Sequence, residues 1–84
     1  MWYTYILKMA DGKYYVGSTN DLKRRMEEHT RGKEISTKWR LPVTLEAYVA
    51  VKSERTARRL EKYLKTSSGK AILRKRILPD EAIA

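Results

Sequence analysis

Three short runs rich in aromatic and aliphatic residues, and two segments with apolar residues at helical spacing, divide this chain. Tyr3 to Met9 is the first run, and Ala10-Asp11-Gly12-Lys13 separates it from a second, Tyr14 to Ser18. Asp-Gly between two such runs predicts a hairpin, because glycine supplies the positive φ a tight turn demands, and so the first two strands pair antiparallel. Asn20 or Asp21 then caps a helix over about 21–31, where Leu22 and Met26 stand four apart and Gly32 is the stop. Pro42 opens a third strand, Val43 to Val51, whose apolar pattern is interrupted by Thr44, Glu46 and Tyr48. Ser53 caps a second helix that runs to about Thr66, Ser67-Ser68-Gly69 breaks it, and a shorter helix over about 70–77 ends before Pro79. The expected fold is α+β, a three-stranded antiparallel sheet packed with three helices.

Eighty-four residues make one small domain, expected over 1–78 with a frayed tail at 79–84. A chain of this length buries only about 60% of its unfolded surface, so a site must be built on the core's own elements. With no cysteine, there is neither a disulfide framework nor a thiolate metal site. Lys8 follows the N-terminal apolar run instead of preceding it, the wrong order for a secretory signal. No uncharged apolar run approaches the length of a membrane span. The expectation is a soluble cytoplasmic protein with no membrane partner, its oligomeric state open with a monomer slightly favoured.

Charge adds a partner. The net charge is +9 and the sequence pI about 10.0, with clusters at Lys23-Arg24-Arg25, Arg31 to Arg40, Lys52 to Arg59 and Lys70 to Arg76. Any one cluster reads equally well as a solvated helix face. Spread over a whole small domain, they make a footprint for a polyanion, since each phosphate neutralised releases condensed counterions. A membrane-surface helix would concentrate its cations opposite one apolar stripe, and this chain distributes them over every segment.

Candidate chemistry lies between Tyr14 and His29, where a phenol, a guanidinium and an imidazole fall within one strand end and one helix start. Arg25 and His29 share a helix face beside the Leu22 and Met26 stripe, and are expected to project next to the hairpin and not into the core. A lone helical histidine is usually inert, and Tyr5 and Tyr15 taken singly are ordinary strand tyrosines. As the single histidine, His29 also excludes a His-rich metal site. On the second helix Ala57, Leu60 and Leu64 fall within an arc of about 60°, and Glu61 lies about 40° beyond Ala57, at the edge of the buried face. Two explanations remain open for that carboxylate: an i, i+4 ion pair with Lys65 worth about 0.3–0.5 kcal/mol, or an oxygen ligand on a hard divalent cation.

Taken together, these residues resemble the GIY-YIG nuclease superfamily, most closely its small stand-alone bacterial and archaeal branch. The first motif corresponds to Tyr3-Thr4-Tyr5 and the second to Tyr15-Val16-Gly17; the helix arginine matches Arg25, the following His or Tyr position His29, and the metal-binding glutamate Glu61. Gly32 through Thr37 matches that branch's Gly-x-x-x-x-Thr feature. Tyr3, Thr4 and Val16 depart from the motif's Gly, Ile and Ile, and no asparagine follows Asn20 to match the supporting asparagine of the excision-repair members.

The resemblance implies a metal-dependent endonuclease that hydrolyses DNA phosphodiesters on a single Mg²⁺ or Mn²⁺ held by Glu61. Tyr15 would be the general base, Tyr5 would order its network, Arg25 would contact the scissile phosphate and His29 would assist. Lys13, Lys23, Arg24, Lys38 and Arg40 are expected to contact the nucleic acid. The large DNA-recognition domains of homing and repair members have no counterpart here, so little sequence specificity is expected, with structure selectivity and a link to DNA repair or recombination in keeping. The alternatives are a nucleic-acid-binding module of weak or no activity with the same fold, and RNA as the substrate.

Overall fold

A computed structural model of the chain, described over residues 1–78, has a three-stranded antiparallel sheet and three helices; the expected tail at 79–84 lies outside the described residues. Strand β1 (Trp2–Lys8) is central, with β2 (Tyr14–Thr19) and β3 (Thr44–Val51) on its two sides. The β1–β2 turn closes as the sequence pattern implies. Gly12 N donates to Met9 O at 2.9 Å, with Gly12 at φ +83°, a conformation that excludes most side chains. Asp11 supports the turn by accepting from Lys13 N at 3.0 Å.

Cross-strand partners share a face, so the register sorts the sheet into two sides. Tyr5 pairs with Gly17 and Leu7 with Tyr15 on one side, while Thr4 pairs with Ser18 and Ile6 with Val16 on the other. Against the Thr4 side packs α2 (Glu54–Leu64), whose Ala57 carbonyl accepts from Thr4 Oγ1 at 2.7 Å and Ser18 Oγ at 3.3 Å. An alanine is what allows this approach, since any longer side chain would hold the helix away. The core forms there from Ile6, Val16, Leu64, Leu73 and Leu78, and fully burying one such aliphatic side chain contributes about 1.5–3 kcal/mol.

Asp21 caps α1 (Leu22–Thr30) by accepting from Arg24 N, and Ser53 caps α2 by accepting from Thr56 N. The C-terminal region departs from the expected break. Thr66 accepts from Gly69 N and caps α3 (Ser67–Ile72), so Ser67-Ser68-Gly69 is its first turn, followed by a π-helical turn over Leu73–Ile77. The wider turn has a packing consequence: Leu73 and Leu78, five apart, both reach the core. Between α1 and β3 the chain makes a long loop whose one regular piece is a 3₁₀ turn at Lys38–Arg40.

Candidate active site

On the Tyr5 side of the sheet, α1 brings two polar side chains onto a buried phenol. Tyr5 Oη lies 2.9 Å from His29 Nε2 and accepts from Arg25 Nε at 3.2 Å. His29 Nδ1 lies 2.8 Å from Thr37 Oγ1. With Arg25 donating to the phenol oxygen, the phenol proton is free to go to Nε2, which puts the imidazole proton on Nδ1 facing Thr37. Tyr15 completes the cluster by ring contacts, its centroid 6.2 Å from Tyr5 and 5.1 Å from His29, the latter edge-on. Gly17 is required beneath them, because a Cβ there would stand 2.5 Å from Tyr5 Oη and 2.6 Å from Tyr5 Cζ.

His29 departs from its expected place beside the core. It is the buried residue of α1, with no exposed surface, and it is tolerated there because both ring nitrogens have partners. The sequence pattern could not supply this, since the loop that covers the ring and provides Thr37 has no periodicity.

Burial also sets the protonation states. It lowers the His29 pKa, and the nearby Arg25 charge lowers it further, so the imidazole is neutral near pH 7. Burial raises the Tyr5 phenol well above its ordinary value against the pull of the Arg25 hydrogen bond. For Arg25, burial acts downward but is outweighed by hydrogen bonds to Tyr5, Glu34 and Glu28, and the guanidinium stays charged.

Two carboxylates occupy the outer edge of that guanidinium. Arg25 Nη1 donates to Glu28 Oε1 at 3.1 Å and Nη2 to Glu34 Oε2 at 2.6 Å. Burial would raise the Glu34 carboxyl, yet hydrogen bonds from Arg25 and Ser36 hold it below the usual range. Glu34 was not among the expected site residues. Its one sequence signal is to be the single acid in the basic run from Arg31 to Arg40.

Glu61 belongs to the opposite side of the sheet. It accepts from Ser18 Oγ at 2.6 Å and from Lys65 Nζ at 2.7 Å, and among the described residues no hydrogen bond or ion pair joins it to Tyr5, Tyr15, Arg25 or His29. The two halves lie on opposite faces of the sheet, with the edge strand β2 between them. The Glu61–Lys65 ion pair, one of the two explanations left open for this carboxylate, is present. Burial pushes the Glu61 carboxyl up, but hydrogen bonds from Lys65 and Ser18 more than reverse this, and it is ionised at neutral pH.

The donor chemistry fits a hard cation bound through one carboxylate. Glu61 is ionised, Lys65 Nζ shows that its Oε2 accepts a positive partner, and among the described residues no cluster of three or more His, Cys, Asp or Glu offers a protein cage. Mg²⁺ commonly uses one or two carboxylates and completes its shell with water and phosphate oxygens.

Beside Tyr15 opens a groove of about 850 Å³ whose apolar floor includes Val16 and Leu64 and whose walls carry Lys13, Arg40, Lys65, Lys70 and Arg74. Of the five cations expected to contact nucleic acid, Lys13 and Arg40 meet here. Lys38 lies on the adjoining loop against Trp39, while Lys23 and Arg24 are exposed on α1 and line no part of this groove.

This is a small nuclease-type domain by fold and by residue content. Residues 1–76 match the GIY-YIG catalytic domain, and the chain belongs to the GIY-YIG family. It is 40% identical to a UPF0213 protein of Streptococcus agalactiae over 84% of this chain and 82% of that one. A UPF0213 protein of Bacillus cereus is also 40% identical, over 73% of this chain; the match spans 65% of that relative, just under two thirds of its length. Among solved structures, the NMR structure of a UPF0213 protein from Bacillus halodurans is similar with a TM-score of 0.60 and 34% identity, covering 98% of this chain and 93% of that one.

Proposed function

We propose that this protein is an endonuclease that hydrolyses DNA phosphodiesters with little sequence specificity, using a divalent ion at Glu61. The observation that carries the reading is the Arg25–Tyr5–His29 chain beside a cation-walled groove lined in part by Tyr15. Tyr5 is fully buried and its oxygen is shared by Arg25 and His29, so half-buried Tyr15 is the phenol that an attacking water can reach. Acting as the phenolate, which the cationic Arg25 near the cluster stabilises, Tyr15 takes the water's proton and becomes the neutral phenol. Tyr5 holds Arg25 and His29 in place. Once turned from its carboxylates, Arg25 neutralises the charge that builds on the phosphate oxygens. His29, neutral and hydrogen-bonded to Tyr5, fixes the orientation of that phenol beside Tyr15. GIY-YIG nucleases generally use divalent ions, and a Mg²⁺ or Mn²⁺ on Glu61 would supply Lewis-acid activation of the phosphate and neutralise the leaving oxygen. Action in the cytoplasm, in DNA repair or recombination, accords with this activity.

A second reading is a nucleic-acid-binding module of low activity. One feature favours it: Glu28 and Glu34 hold the Arg25 terminal nitrogens and Lys65 holds Glu61, so each charged group of the site already has a partner.

The readings part in a plasmid assay. Endonuclease activity converts supercoiled plasmid to nicked circles with Mg²⁺ or Mn²⁺, and Glu61→Ala and Tyr15→Phe each lower the rate at least about 100-fold while DNA binding changes little. Unchanged cleavage by Glu61→Ala removes the metal assignment. Binding without cleavage on plasmid, single-stranded, forked and RNA substrates selects the second reading, and cleavage confined to RNA changes the substrate.

A further inference from the structure

Trp39 is 83% exposed and Ile35 82%, the two most exposed large apolar residues of the described chain. Single exposed aliphatics are ordinary on protein surfaces, but an indole left in water forgoes a large apolar burial. The loop that carries it is firmly held. Thr37, midway between Ile35 and Trp39, is fully buried with its hydroxyl on His29, and Glu34 is bonded to Arg25. Beyond Trp39, Arg40 O accepts from Ala10 N at 2.9 Å and Arg40 Nε lies 3.4 Å from Asp11 Oδ2. The chain is thus fastened on either side of Trp39, once into the active-site cluster and once onto the hairpin, and the indole is displayed between those anchors.

Its surroundings are cationic. Lys38 Nζ lies 4.9 Å from the centre of the Trp39 ring, and Arg40, the next residue, lines the same groove as Tyr15. A ring so placed calls for a partner that is flat and apolar in one part and anionic in another. A nucleotide has both parts, a base to stack on the indole and a phosphate for Lys38 and Arg40. A second copy of this chain would bring another +9 net charge against the same cations.

We propose that Trp39 is a stacking platform for an unpaired nucleobase, so that the site selects nucleic acid with a single-stranded segment, such as a flap, fork or loop, over continuous duplex. The proposal rests on the nucleic-acid reading above and adds the substrate class. In duplex DNA the bases are already stacked on one another and offer no free face, whereas an unpaired base does. Removing one such stacking contact typically weakens binding about 5- to 150-fold.

The test uses binding to oligo-dT, a flapped duplex and a blunt duplex of equal length at one salt concentration. With Trp2→Phe leaving Trp39 as the single tryptophan, its emission is expected to be quenched by oligo-dT and by the flap far more than by the blunt duplex. Trp39→Ala is expected to lower the ratio of oligo-dT to blunt-duplex affinity about tenfold. Trp39→Phe should recover most of that ratio and Trp39→Leu should not, since stacking needs a ring. The side chain is exposed, so its replacement removes little buried packing, and an unchanged circular dichroism melt checks this. Equal losses on all substrates, or emission that ignores oligo-dT at saturation, overturn the proposal while the nuclease reading stands. A concentration-dependent dimer abolished by Trp39→Ala, with the affinity ratio intact, gives the patch to a second copy and also overturns it. Absence of binding to any of the three substrates by the unaltered protein overturns the nucleic-acid reading itself.

Discussion

The guanidinium of Arg25 is held by the carboxylate of Glu34, Nη2 to Oε2 at 2.6 Å, across nine residues of sequence. Under the proposed mechanism, phosphate would compete with that carboxylate for the nitrogen it needs. Glu34 ties the long loop to α1 and, on that proposal, also masks the edge of Arg25 that would meet phosphate.

Glu34→Gln separates those effects. The pair is only partly buried, its side chains 25% and 22% exposed, so the loss should be about 1 kcal/mol, a fall of about 4–8 °C in Tm. Affinity for oligo-dT should rise about three- to tenfold as Arg25 becomes available. A thermal melt and a titration on one preparation measure the two, and lower stability with no gain in affinity would reduce Glu34 to a structural tie.

Tyr5→Phe and Tyr15→Phe should differ in stability more than in activity. Deleting the Tyr5 hydroxyl strands His29 Nε2 in a fully buried position, a cost of about 1–3 kcal/mol. Tyr15 is only half-buried and removing its hydroxyl strands no buried ring nitrogen, so urea unfolding should shift little. Nicking should fall in each, in Tyr15→Phe through loss of the base and in Tyr5→Phe through loss of the order it imposes. A Tyr15→Phe protein with normal cleavage would move the base elsewhere.

His29 makes stability depend on pH. Its folded pKa lies below the unfolded value of 6.5, so the unfolded chain binds more protons just under that pH. Stability from this group is complete above about pH 6.5 and declines as pH falls toward the folded value. Glu34 and Glu61, held below 4.5, add a second decline at lower pH. Chemical denaturation at pH 7, 6 and 5 should show the upper decline in the natural protein and its absence in His29→Gln, whatever the latter's overall stability. A matching slope in the variant would assign the effect to other groups.

Gly17→Ala tests the floor of the cluster. The added methyl would overlap the Tyr5 ring, and either the ring or the edge strand must shift, at a cost of about 1–3 kcal/mol. Because the ring carries the Arg25 and His29 contacts, cleavage should fall by more than the stability loss explains. Activity per folded molecule, from nicking rates at a temperature where the variant is fully folded, decides it.

How much of this was legible beforehand depended on whether the signal was local. The hairpin, a cap at Asn20 or Asp21, the Ser53 cap and the three strands follow from turn chemistry and short-range pattern, and each appears in the fold, with Asp21 taking the first cap. Ser67-Ser68-Gly69 reads as a stop because helix starts and stops use the same small polar residues; the Thr66 side chain, bonded to Gly69 N, makes it a start. The Arg25–His29 spacing was visible, but burial of the imidazole was not, since Thr37 arrives by a loop fold with no periodic trace. For the same reason Glu34, Ser18 and Trp39 carry no strong signal in the chain. Each matters through a partner or a surface that only tertiary structure supplies.

The last prediction concerns Lys65, whose Nζ lies 2.7 Å from Glu61 Oε2. If Glu61 holds the divalent ion, this ammonium competes with it, and the metal must displace a charge as well as water. Lys65→Ala removes the competitor at a cost of only about 0.3–0.5 kcal/mol in helix stability. The Mg²⁺ concentration giving half-maximal nicking should fall about three- to tenfold, and EDTA should abolish nicking by natural and altered proteins alike. Lys65 also lines the groove beside Tyr15, so DNA affinity should drop slightly as one cation is lost. The two effects have opposite signs and separate in a Mg²⁺ titration at saturating DNA. A reduced maximal rate with an unchanged Mg²⁺ midpoint would mean that Lys65 serves the phosphate backbone and that the ion does not bind where its ammonium now sits.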